Sequence, residues 1–437
     1  MKPLCVVSAP PDTYSGYGAR SRDFIKALVE VKGSEWDIKV LSQRWGSCPW
    51  GFIDDNMEEW GWMKDIMLYG NQLPQQPDYW FQISVPNEFQ PVGKTFSCGV
   101  TAGIETTVCD PSWIEGINRM NLTLVSSKHA KKVFEDSKFE VKDQQGRVVN
   151  KVELQKPVEV LFEGLDLTKY YYKETLEKTD VVKSLDTIKE DFCFLFVGHW
   201  MQGEIGHDRK NVGYMIRTFL EAYKNKKTRP ALILKAVQVG GSIMDRDEIL
   251  RKIDIIRKSV KGDLPNIYLL HGELDDTDMN DLYNHPKVKA MVSFTKGEGY
   301  GRPLLEFTQS KKLVIASGWS GQTDFLDPQS SYLLSGELHQ LHPSSVVQNM
   351  LLAESGWFQP DNTQVMKMWK EVFEDYKKFE VPGKKQGHKA KTEFSFDAMK
   401  ELLGKYIEEK FAKAVVLKLP TLKKIELPKL KKLEDAK

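Results

Sequence analysis

The sequence predicts an α/β protein in which two doubly wound parallel sheets follow one another. Three observations carry that prediction. Compact apolar runs of strand length alternate with amphipathic helical stretches over the first 160 residues, and the same alternation restarts at Phe192. Glycine turns at Ser15-Gly16-Tyr17-Gly18 and Glu298-Gly299-Tyr300-Gly301 stand between an apolar run and a helical one. The length of 437 residues suits two or three domains, and 41% hydrophobic with 28% charged residues is ordinary for a soluble globular chain.

The first series opens with the strand Leu4–Ser8, a glycine loop and the periodic helix Arg22–Val29. Strands follow at Ile38–Leu41, Tyr79–Ser84, Phe96–Val100, Leu122–Ser126 and Val158–Phe162, with helical stretches at Trp113–Arg119 and Ala130–Ser137. Residues 139–154 alternate about a Gln-Gln-Gly turn and read as a surface hairpin inserted before the last strand. The second series runs through strand Phe192–Val197, helix Val212–Tyr223, strand Ala231–Lys235, helix Arg246–Ser259, strand Ile267–Leu270, helix Asp276–Tyr283 and strand Ala290–Ser293. A short buried strand at Lys312–Ala316 leads into the turn Ser317-Gly318-Trp319-Ser320-Gly321, and helical patterns at Gln364–Lys378 and Phe394–Phe411 come last. The tail repeats an octad, Leu419–Glu426 and Leu427–Glu434, whose prolines forbid one long helix. Its 413–437 stretch holds eight lysines against three acids, which suits either a solvated or packing tail or attraction to a polyanion, an anionic membrane surface or a partner protein.

Net charge is +1, so no global field recruits nucleic acid or membrane and any basic site is local. The five cysteines, Cys5, Cys48, Cys98, Cys109 and Cys193, lack the paired spacing of zinc or redox motifs and read as reduced thiols. With no signal-peptide pattern at the N-terminus and no apolar run of membrane length, the expected location is cytoplasmic.

Chemistry concentrates at Glu298-Gly-Tyr-Gly-Arg302-Pro303-Leu-Leu-Glu306, where two carboxylates stand eight positions apart around a glycine turn. Gly299 and Gly301 permit close approach of backbone to an anion, and Pro303 suits the first position of a helix whose N–H groups face it. Glu306, expected in the first turn, would point back at that turn and accept hydrogen bonds from two ribose hydroxyls. Two glutamates flanking such a turn also occur as a solvated loop with a helix-start charge. The surrounding strand, Ser-Phe-Thr-Lys-Gly, E-x7-E, strand and Ser-Gly-Trp-Ser-Gly pattern argues against that simpler reading.

This run resembles the E-x7-E segment of retaining glycosyltransferases of the GT-B type, in particular family 4. The resemblance implies two Rossmann-like domains with a cleft between them and a C-terminal returning helix, here 1–165 for the acceptor, 166–385 for the donor, 386–412 for the return and 413–437 for the basic tail. Glu163-Gly-Leu-Asp166 resembles the family's hinge opening. Asp208-Arg209-Lys210-Asn211 resembles the donor-phosphate segment, which assigns the diphosphate to Arg209 and Lys210, with His199 standing where the family often has another arginine. Fixed cations suit the charge that builds on a leaving diphosphate. By the same resemblance Glu298 holds the sugar hydroxyls, Glu306 the ribose, and amides near Gly16, Gly18, Ser320 and Gly321 the anion. Glu105 contacts the sugar or the acceptor, or is a plain helix-start carboxylate, and His129 lines the cleft or is a surface helix residue. The blocks Ser84–Phe89 and Thr101–Thr106 look like a subgroup found in tailed phages and related viruses.

The expected function is transfer of a hexose or pentose from a nucleoside diphosphate, most often UDP, to a hydroxyl with retention. The acceptor is a surface glycan or lipid-linked sugar, or a hydroxymethylated base in viral DNA, the latter placing the enzyme in host cytoplasm. No metal or other cofactor is expected, since Asp245-Arg-Asp247 and Asp276-Thr-Asp278 each begin a helical stretch where acids favour the helix dipole. A non-catalytic nucleotide-sugar-binding scaffold and a sugar-nucleotide epimerase on the same fold are the alternatives.

Overall fold

The computed structural model describes residues 2–70, 73–200, 203, 205–238 and 241–411, so the tail octads lie outside the described residues. The first sheet is formed by β1 (Leu4–Ala9), β2 (Asp37–Ser42), β3 (Tyr79–Ile83), β4 (Phe96–Thr101), β5 (Leu122–Val125) and, after the antiparallel hairpin β6 (Phe139–Lys142) and β7 (Val148–Val152), by β8 (Val158–Val160). All its pairings are parallel, in the order β2-β1-β3-β4-β5-β8. Every residue of β1, β4 and β5 is buried, as expected where helices cover both faces of a parallel sheet.

A second six-stranded parallel sheet contains β9 (Cys193–His199), β10 (Ala231–Val237), β11 (Ile267–Leu270), β12 (Val288–Ser293), β13 (Leu313–Ser317) and β14 (Tyr332–Leu334). Its order β11-β10-β9-β12-β13-β14 reverses direction between β9 and β12. The first sheet reverses between β1 and β3. At such switch points the loops leaving the carboxyl ends of neighbouring strands diverge, and the crevice between them is where open α/β sheets take ligands.

The chain crosses between the two sheets twice, and the crossings are bonded together: the Leu165 N–H donates to Phe394 O at 2.8 Å, and the Phe396 N–H to Leu165 O at 2.8 Å. Gly164 is required there, because a Cβ would lie 2.6 Å from the Phe396 Cα. Beyond this point the helix Phe396–Tyr406 and the π turn Ile407–Phe411 pack on the first domain, with Phe396, Met399, Leu403, Ile407 and Phe411 in its core.

Two features depart from the sequence expectation. The helical pattern at 364–378 ends sooner, as Asn362–Glu374, and a separate helix spans Lys377–Glu393, starting well ahead of the 386–412 stretch expected to return to the first domain. Pro382, Gly383 and Gly387 disguise it in the sequence, yet the glycines serve packing: a Cβ on Gly383 would lie 2.8 Å from Lys311 O and one on Gly387 2.6 Å from Thr308 O. The second is an antiparallel arm, β15 (Gly336–Gln340) and β16 (Gly356–Pro360), which leaves the second domain and docks on the first. The Thr107 N–H donates to Gly356 O at 2.9 Å, the Gly356 N–H to Thr107 Oγ1 at 2.8 Å, and the Trp113 indole to Asn349 O at 3.1 Å.

Candidate active site

The loops leaving β9 and β12 bring Arg209, Lys210 and Glu298 together at the switch point of the second sheet. Arg209 and Lys210 precede the helix Val212–Tyr223, whose start is set by Asn211 in the left-handed region at φ 56°. Asp208 is buried and accepts from the Val212 N–H at 3.2 Å, which fixes the loop against the helix. Glu298 lies in the turn after β12, its own N–H held by Ser320 Oγ at 2.9 Å and its carbonyl by the Gly321 N–H at 3.0 Å. Ser320 adopts φ 73°, which only a tightly held turn imposes on a residue with a side chain.

Within this cluster the Lys210 ammonium bonds Glu298 Oε1, and Arg209 Nη1 reaches Glu298 Oε2 at 3.1 Å, Gly297 O at 2.9 Å and Glu105 Oε1 at 3.6 Å. Glu298 is only 6% exposed. Burial works against its charge, but the two cations outweigh it and hold the carboxyl down at about 2. Burial and the neighbouring Arg209 conversely lower the Lys210 pKa, with Glu298 opposing them. Glu105, left open by the sequence between a site residue and a helix-start charge, belongs to the cluster and begins no helix.

The second part of the site is a cavity of about 280 Å³ lined by Gly16, Arg22, His199, Asp276, Arg302 and Glu306 among others. Gly16 is the first residue of the helix Gly16–Lys32, capped by Ser15, whose hydroxyl accepts the Gly18 N–H at 2.9 Å. Gly18 itself packs tightly, since a Cβ there would lie 2.2 Å from Thr13 O. His199 is exposed on the cleft; the surrounding walls and the facing cations Lys210, Arg209 and Lys235 lower its pKa to about 4.

Glu306 does not sit in the first turn of its helix as the sequence suggested. Arg302 opens the six-residue helix Arg302–Phe307 and Pro303 is second, so Glu306 lies one turn on, four residues beyond Arg302. Arg302 Nε donates to Glu306 Oε1 at 2.9 Å, while Arg302 Nη1 reaches across the cleft to Asp23 Oδ2 at 2.6 Å. Burial pushes the Glu306 carboxyl up to about 7, aided by Asp276 and Asp23 and opposed by Arg302.

The glycines of the E-x7-E turn admit protein rather than open space. A Cβ on Gly297 would lie 1.9 Å from Glu105 O, and one on Gly299 2.7 Å from Ala102 O, so these glycines let the two domains touch. Gly301 adopts φ 99° and caps the following helix, and a Cβ on Gly321 would meet Gly299 O at 2.2 Å.

Several residues of the cleft carry no sequence signal of their own. Asp23 and Arg302 pair across the domains, and Asp276 accepts from Lys169 Nζ at 2.6 Å and Tyr170 OH at 2.8 Å, while Lys169 also pairs with Glu59 at 2.8 Å. Asp276 begins its helix, as expected, and also lines the cleft. Asp245, by contrast, completes a capping box with Ser242. His129 is no surface helix residue either: its ring meets Trp319 of the other domain edge-on at 4.6 Å, and burial lowers its pKa to about 4. In the Ser84–Phe89 block, Ser84 bonds Glu88, and Phe89 is fully buried in the place a Gly99 side chain would take.

No family model matches the sequence, and no curated protein matches it. Solved structures do resemble the fold. The Anabaena protein HepE in complex with UDP and glucose has 11% identity and a TM-score of 0.58 over 93% of this chain and 99% of its own. Sucrose-phosphate synthase from Thermosynechococcus elongatus has 11% identity and a TM-score of 0.59 over 94% and 100%. The UDP-forming trehalose-phosphate synthase of Burkholderia vietnamiensis has 10% identity and a TM-score of 0.56 over 95% and 99%. The chain therefore has the two-domain GT-B fold.

Proposed function

We propose that this chain is a glycosyltransferase that moves a sugar from a nucleoside diphosphate, UDP in the first instance, to a hydroxyl acceptor with retention and without a metal ion. The observation that carries this reading is the convergence of Arg209, Lys210 and Glu298 at the second sheet's switch point, beside a cavity holding Glu306. HepE and the two synthases, whose fold this chain shares, are described with UDP or as UDP-forming or sugar-phosphate synthases, which suits a UDP-sugar donor here.

In this reading Glu306 accepts from the ribose hydroxyls, and the first turn of the Gly16–Lys32 helix faces the diphosphate from the first domain. Arg209 and Lys210 are held in place by Glu298 before the donor arrives. When the diphosphate departs, its growing charge draws both cations, and their preorganisation lowers the barrier without reorganisation of water. Glu298 then meets the sugar hydroxyls. With the leaving phosphate taking the acceptor proton on the same face of the sugar, no separate base is required. Asp245 is committed to a helix cap and Asp276 to Lys169 and Tyr170, so neither is free to bind a metal. Domain limits at 165 and 385 belong to the same proposal, as does a cytoplasmic setting; among the described residues no helix is long and apolar enough to cross a membrane. The acceptor is a glycan, a lipid-linked sugar or a hydroxymethylated base in viral DNA.

The test is UDP release from UDP-sugars in EDTA with a panel of those acceptors, followed by the anomeric configuration of the product. Transfer with retention in EDTA is expected. Activity that is lost in EDTA and restored by manganese, or an inverted product, would contradict the proposal.

A further inference from the structure

A groove of about 1060 Å³ lies on the second domain, at the end of its sheet opposite the cleft. Its floor is made by the segments entering β12 and β13, Asn284–Lys289 and Gln309–Lys312, whereas the cleft is built from segments leaving the strands. One wall is the 172–178 stretch. The other is the Lys377–Glu393 helix, which Gly383 and Gly387 allow to lie directly on the 308–312 backbone. On that helix Lys384, His388 and Lys391 recur at positions i, i+4 and i+7 and so share the face that lines the groove.

Seven lysines and two histidines line the groove against three carboxylates, in a chain whose net charge is only +1. Two of the lysines are neutralised in place: Lys173 by Asp281 at 2.5 Å and Lys178 by Asp186 at 2.6 Å. The other five are not. Lys312 Nζ donates to the carbonyls of Tyr283 and His285 at 2.8 Å each, and Lys311 Nζ stands 4.1 Å over the Tyr172 ring. The ammonium groups of Lys289, Lys384 and Lys391 have no ion-pair or hydrogen-bond partner among the described residues. Burial, and to a lesser extent Lys289, drives Lys312 well below the usual lysine range.

We propose that this groove binds a small ligand carrying two or more phosphate groups. Its volume is on the scale of a small-molecule site, about 300–1,000 Å³. Lys384 and Lys391 are about 10 Å apart along the helix, so with the side chains extended their ammonium groups match a ligand with more than one phosphate. The walls on both sides favour a compact ligand over a continuous nucleic-acid strand. The groove shares no residue with the cavity that holds Glu306, so this assignment stands apart from the donor site.

The test is calorimetric titration of the full chain with inorganic tripolyphosphate in the wild type, in K384E/K391E and in R209A/K210A, whose cleft lacks the cations assigned to the diphosphate. Both groove lysines are exposed, so K384E/K391E should fold, and an unchanged circular dichroism spectrum and unfolding midpoint verify that. Binding that is retained in R209A/K210A, reduced tenfold or more in K384E/K391E and weakened by salt is expected. Absence of binding to the wild type, loss of it in R209A/K210A, or equal affinity in K384E/K391E would overturn the proposal. So would tighter binding of a short single-stranded oligonucleotide that the same variant abolishes, since the ligand class would then be nucleic acid.

Discussion

Glu298 and Glu306 share a motif but occupy opposite electrostatic environments. Two cations hold Glu298 ionised, whereas burial beside Asp276 and Asp23 lifts Glu306 to about 7 from an ordinary 4.5. Between those two values the folded protein keeps a proton that the unfolded chain has released, so Glu306 makes stability fall as pH rises through that window, with the penalty fully present above 7. Binding has the opposite sense. An ionised Glu306 accepts from ribose hydroxyls more strongly, so UDP affinity should rise by up to about tenfold from pH 6 to pH 8. The Glu306→Gln variant supplies the ligand's own titration, and a wild-type pH profile identical to it would show that Glu306 does not titrate at the ribose. For Glu298→Gln, removing the carboxylate leaves Lys210 without its ion-pair partner and Arg209 with only Gly297 O and Glu105, and a stability loss of about 3–5 kcal/mol is expected by chemical denaturation. A loss under about 1 kcal/mol would mean that the pair is effectively solvated.

At the scale of elements, the strands were legible because buried parallel strands are continuous apolar runs, and Leu4–Ala9 and Phe192–Val197 can be little else. The Lys377–Glu393 helix was not legible, because Pro382 and two glycines read as breakers while their use, close approach to the 308–312 backbone, is a tertiary fact. The arm β15–β16 escaped for the same reason: its partners Thr107 and Trp113 lie more than 200 residues away in sequence. In the site, Arg209 and Lys210 were named through a family resemblance and Glu298 through its glycine turn, whereas Asp23 acquires its role only when the domains meet and Asp276 when Lys169 and Tyr170 pack on it. The glycine turn gives an element-scale prediction. Gly297→Ala puts a Cβ 1.9 Å from Glu105 O, which forces the domains apart, so turnover should fall at least tenfold and interdomain contacts should loosen, read as faster amide exchange at 102–107. Wild-type exchange and turnover in that variant would show that the contact is not needed.

Across the whole molecule, the two sheets are held in register by the paired crossings at Leu165 and Phe394–Phe396, by the arm on Thr107 and Trp113, and by Arg302 reaching Asp23. The cleft is therefore a product of both domains, and its residues come from strand ends on both sheets. The claim on which the rest depends is that this cleft holds a nucleotide through Glu306. Calorimetry of UDP with the wild type and Glu306→Ala tests it most directly. UDP should bind the wild type, and loss of the charge-assisted bonds to the ribose should weaken binding by about 1.5–3 kcal/mol in the variant. No UDP binding to the wild type, or unchanged affinity in Glu306→Ala, would contradict the account.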